Sequence, residues 1–69
     1  MNDTITYNIS TKNTIDAINV CKKINKDKDK FDVKNVYNKE RILFIVFNSS
    51  VSDKSIKKIT KLIGWFMDN

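Results

Sequence analysis

The chain has no histidine, no proline, one glycine and one cysteine. Each shortage removes a class of function. Without histidine the usual general base near neutral pH is missing, and so is the imidazole that a phosphocarrier needs. Cys21 has no second cysteine to pair with, and one thiol without histidine does not make a zinc site. It lies on the apolar side of an expected helix, which fits a buried structural thiol better than a nucleophile. Gly64, the sole glycine, leaves no glycine-rich phosphate loop. Asp27, Asp29 and Asp32 superficially resemble a calcium loop. Lysines are interleaved among them, the turn glycine is absent and no glutamate closes the loop.

Long apolar runs are missing as well. None approaches the ~20 residues that span a bilayer. Met1-Asn2-Asp3-Thr4 lacks the basic region and apolar stretch of a secretory leader. The expectation is a non-enzymatic, cytoplasmic protein in a reducing compartment, with no catalytic residue, metal, cofactor or small-molecule substrate and no membrane contact.

What is present is basic and apolar. Thirteen Lys and Arg face eight Asp and Glu, for a net charge of +5. Arg41 is the lone arginine; the other basic residues are lysines. With nine Asn and ten Ile, the composition fits an AT-rich genome, and a phage- or plasmid-type regulator would suit it. At 69 residues the chain makes one domain, 1–69, with a thin stability margin. Domains this small gain from disulfides, metals or association. Of these, association is the one the sequence favours, with a well-idealised core as the alternative.

The stretch Ile42-Leu43-Phe44-Ile45-Val46-Phe47 is apolar on both sides of an extended chain. Ahead of it, residues 4–10 alternate, with Ile5, Tyr7 and Ile9 on one side and Thr4, Thr6, Asn8 and Ser10 on the other. Asn13 then caps a helix that carries Ala17, Ile18, Val20, Cys21 and Ile24 on one face and ends near Asn25. Residues 26–30 read as a solvated loop. A second strand spans 31–37; either a bulge near Asn35 brings Val33 and Val36 to one side, or Val36 faces the opposite side. Asn38-Lys39-Glu40 forms a hairpin turn into the third strand. Ser52 caps a second helix with Ile56, Ile59, Leu62, Ile63 and Phe66 on its apolar face. Gly64 either ends that helix or lies within it.

The order β-α-β-β-α implies an α+β fold: a two-layer sandwich of a three-stranded antiparallel sheet with two helices on one face. It matches a ferredoxin-like unit lacking the last strand, a topological analogy that carries no function by itself. The third strand is expected between the other two, leaving the first as an open edge.

Two surfaces follow. If the helices cover Ile42, Phe44 and Val46 together with Ile5, Tyr7 and Ile9, then Leu43, Ile45 and Phe47 lie uncovered, beside Val36 and Thr6. Such a patch marks an interface for a protein partner or for self-association, as in a homodimer, an inhibitor or an adaptor. The second surface is Lys54, Lys58, Lys61 and Trp65, one stripe of the second helix, flanked by Lys57. Lysines at that spacing can straddle phosphates, and an indole can stack on a base. Nucleic acid is therefore the alternative partner.

Overall fold

The computed structural model describes residues 3–64. The chain is α+β: a three-stranded antiparallel sheet with two helices. Strand β1 is Thr4–Ser10, helix α1 Thr14–Lys26, strand β2 Val33–Lys39, strand β3 Ile42–Asn48 and helix α2 Asp53–Ile63. The sheet order is β1-β3-β2, so the most apolar strand lies in the centre. Both neighbours pair with β3 antiparallel, which makes β1 and β2 parallel to each other with α1 as their connection.

The helix starts are set by local chemistry. The Asn13 side chain accepts a 2.8 Å hydrogen bond from the Asp16 amide, and the Ser52 hydroxyl accepts one of 3.2 Å from the Ser55 amide. Both satisfy an otherwise orphaned N–H of the first turn, and Asp16 and Asp53 complement the positive end of each helix dipole.

Two boundaries differ from the sequence reading. Residues 28–31, expected within a loop running into a strand, form a single 3-10 turn, and Asp32 follows it with a left-handed φ of 57°. That reversal delays β2 until Val33 and takes Phe31 out of the ladder. Of the two readings at Asn35 the bulge is the one present, as a register shift between Val33 and Asn35, and it leaves Val33 and Val36 both buried. The hairpin turn is Glu40-Arg41, between paired Lys39 and Ile42, with Glu40 at φ 52°. It is a two-residue connection, one to two residues later than the composition implied.

Among the described residues the core is one cluster. Leu43, Ile45 and Phe47 meet Val33 and Val36 of β2, Val20 and Ile24 of α1, and Ile59 and Ile63 of α2. Side chains of this size contribute about 1.5–3 kcal/mol each when fully buried. Strand β1 supplies no buried side chain; Ile9 packs at the cluster's margin and the Tyr7 ring meets Phe47 edge-on.

Candidate interaction surfaces

The pairing register decides which row of β3 faces the core. Ile5 pairs with Phe47, Tyr7 with Ile45 and Ile9 with Leu43. Directly opposed residues share a face, so Ile5, Tyr7 and Ile9 lie with Leu43, Ile45 and Phe47. The expected partition had them with Ile42, Phe44 and Val46 instead. Leu43, Ile45, Phe47 and Val36 are therefore core residues, exposed by 0%, 0%, 1% and 7%, and they offer no surface to a partner. The physical reason is the β1–β3 register, which sets Ile5, Tyr7 and Ile9 on the face where α1 and α2 deliver their apolar side chains. Pairing Lys39 with Ile42 puts Val36 opposite Ile45 on that same face.

The opposite face of the sheet carries the other row. Ile42, Phe44 and Val46 are half-buried in its centre. Ser10, Asn8 and Thr6 oppose them on β1, and Lys39, Tyr37 and Asn35 oppose them on β2. Thr6 stands on this face as expected. Tyr37 and Phe44 stack across strands, ring centroids 5.0 Å apart and planes 8° from parallel. Each ring thus covers one π-face of the other. The central patch is apolar, its rim is hydroxyl and amide, and Lys39 is the charge at one end. Sequence reasoning missed Tyr37, Ile42, Phe44 and Val46 as surface residues. Their signal was their register with the polar row Thr6, Asn8 and Ser10.

Lys54, Lys57, Lys58 and Lys61 are all exposed on α2, whose other side buries Ser55, Ile59 and Ile63. Gly64 keeps right-handed helical dihedrals, φ −49° and ψ −33°, so no left-handed cap ends the helix at that residue. Trp65, the proposed aromatic member of the stripe, and Phe66 lie outside the described residues.

Little else has the makings of a site. Burial pushes the Cys21 thiol above its ordinary pKa, and its Sγ donates to the Val36 carbonyl at 3.6 Å. A protonated, hydrogen-bonded thiol is a poor nucleophile at neutral pH. Asp32 accepts a 2.7 Å hydrogen bond from the Ser55 hydroxyl, which ties α2 to the start of β2. Among the described residues no group of three or more His, Cys, Asp and Glu is placed to hold a metal. None of the described helices is long and apolar enough to cross a membrane. An open depression of about 260 Å³ over 25–30 is lined by alternating Lys and Asp, with no convergent polar set. No family model, curated protein or solved structure matches the chain.

Proposed function

We propose that this chain is a small, non-enzymatic protein-interaction module that docks a larger protein, as an inhibitor or adaptor does, through the sheet face away from the helices. The observation that carries this reading is the contiguous set Tyr37, Ile42, Phe44 and Val46 on that face, rimmed by Thr6, Asn8, Ser10 and Asn35. A patch of this composition resembles an interface core with a polar rim. The patch suits a protein better than nucleic acid, because Tyr37 and Phe44 each turn one π-face to the other and the rest of the apolar set, Ile42 and Val46, is aliphatic. In fold terms the reading takes the molecule as a two-layer, ferredoxin-like unit without its last strand, a form that leaves one sheet face for a partner.

The test is affinity purification from the native host with nuclease treatment. Wild type is expected to retain a stoichiometric protein after nuclease, and Phe44→Lys to lose it, while a Lys58→Glu/Lys61→Glu double variant retains it. Retention by Phe44→Lys, or loss on nuclease treatment, overturns the reading.

A second reading rests on the exposed lysines of α2. Lys54, Lys57, Lys58 and Lys61 would grip a phosphate backbone electrostatically, with affinity falling steeply as salt rises. A gel-shift series on DNA and RNA at low salt decides it: absence of binding removes the reading.

A further inference from the structure

The two edges of the sheet are built differently. Edge strand β2 carries Lys34 and Lys39 and is broken by the register shift between Val33 and Asn35. Lysines and bulges are devices that block edge-to-edge pairing. Edge strand β1 has neither. All seven of its residues are uncharged, and all pair with β3 without interruption.

The hydrogen bonds show which groups β1 leaves on its outer side. The Thr11 amide donates to the Arg41 carbonyl at 2.9 Å, and the Ser49 amide donates to the Asp3 carbonyl at 2.8 Å. Both pairs continue the β1–β3 register. In an antiparallel ladder, hydrogen-bonded pairs alternate with non-bonded ones. The odd-numbered residues of β1 therefore direct their amides and carbonyls at β3. Thr6 and Asn8 direct theirs away from it, along the outer edge.

The side-chain pattern of β1 is palindromic about Tyr7. Ile5 and Ile9 flank it at equal distance, with Thr6 and Asn8 between. We propose that two copies of this chain join antiparallel through β1, with the two-fold axis at Tyr7, extending each three-stranded sheet into one of six strands. In this register Thr6 of one copy is opposite Asn8 of the other, so the outward backbone groups of both meet as hydrogen-bonded pairs. Tyr7 meets Tyr7, and Ile5 meets Ile9, as non-bonded pairs, whose side chains approach closest. Ile5 and Tyr7 are 40% and 39% exposed in the single chain, so each has apolar surface left to bury. A two-fold axis requires a self-complementary patch, and the palindrome is one.

Charge points to the same occupant. Copies at net +5 repel each other over most of their surface, but β1 itself carries no charge. Asp3 precedes the strand and Lys12 follows it. The antiparallel register brings each of them toward its opposite on the second copy. A parallel arrangement would bring like toward like.

This inference is independent of the docking face, because β1 pairs through its edge and leaves Phe44 untouched. Sedimentation equilibrium and amide exchange test it. Wild type is expected at twice the chain mass of 8.1 kDa, with slow exchange at Thr6 and Asn8 that speeds up on dilution. Thr6→Pro removes an outward N–H and spares the β3 ladder. Tyr7→Lys sets two like charges across the axis. Each is expected to raise the dimer dissociation constant at least about tenfold. Phe44→Lys is expected to leave dimerisation intact, even if it abolishes capture of a larger protein. A wild type that sediments at chain mass up to millimolar concentration overturns the proposal. So does a dimer that survives Tyr7→Lys with its circular dichroism unchanged, or one that Phe44→Lys dissociates.

Discussion

The two sides of β3 are held to it by different forces. On one side, β2 buries Val33 and Val36 against α1 and α2, and the Ser55–Asp32 bond closes the start of the strand. On the other, β1 buries nothing completely and is held by its ladder and its two ends. At one end the buried Thr11 hydroxyl donates to the carbonyls of Arg41 and Asn13, both at 2.8 Å. At the other, Ser49 donates to Asp3. Burial makes the β2 side insensitive to water. Hydrogen bonds leave the β1 side orderly but thinly covered, which suits an element that gains its remaining burial from a second chain.

The sharpest way to break the comparison is at Phe47, which belongs to both sides. It is 1% exposed, pairs with Val33 on one flank and Ile5 on the other, and meets Tyr7 edge-on at 5.5 Å. Phe47→Ala should cost about 3–5 kcal/mol, from lost transfer energy plus the cavity left behind. Urea unfolding measures it. A domain this small has little more than that to lose, so Phe47→Leu serves as the milder variant and should cost less.

Thr11→Val isolates the β1 side. It keeps the shape and removes the donor shared by Arg41 and Asn13. The Thr11 amide still satisfies the Arg41 carbonyl. The expected cost is about 1–2 kcal/mol, with amide exchange speeding up along β1 before β2. Uniform acceleration along both strands would show that the two sides unfold as one.

The elements were legible because their signals are local. Asn13 and Ser52 announce helix starts and the 4–10 alternation announces a strand, while the parity of Val33 and Val36 leaves a bulge as one of two readings. The central place of β3 follows from its double-sided apolarity. Which of its rows faces the core was not legible. Leu43, Ile45 and Phe47 differ little in bulk or hydrophobicity from Ile42, Phe44 and Val46. The choice between them is made by the long-range pairing of β1 with β3, which no local residue marks. The β2–β3 turn was not legible for a related reason: it has no glycine to mark it. Glu40 adopts φ 52° without the residue type that favours it. The Asn38 side chain supports it with a 2.9 Å bond to the Glu40 carbonyl. An error of one residue in the β1–β3 register exchanges the faces and moves the candidate surface from Leu43, Ile45 and Phe47 to Tyr37, Ile42, Phe44 and Val46.

Glu40→Gly tests how that turn is held. A left-handed φ costs an ordinary residue about 1–2 kcal/mol, and glycine returns part of the gain as unfolded-state entropy. The net expectation is a stabilisation of about 0.5–1 kcal/mol in thermal or urea unfolding. A loss of stability would mean that the turn's geometry is set by Glu40 itself and not imposed by the Lys39–Ile42 pairing.

The smallest expected effect is at Ile5, and it bears most directly on the comparison. Ile5→Thr keeps a β-branched side chain on a strand where it is 40% exposed. In the dilute monomer the change should cost no more than about 0.5–1 kcal/mol, since much of the side chain is already in water. In the paired dimer, Ile5 would lie against Ile9 of the second copy, and the same substitution would remove buried contact from the interface twice. Its apparent cost should then grow with protein concentration, because association stabilises only the folded chain. Denaturation at two widely separated concentrations reads this out. A cost at Ile5 that does not change with concentration would leave β1 as a thinly covered edge and nothing more.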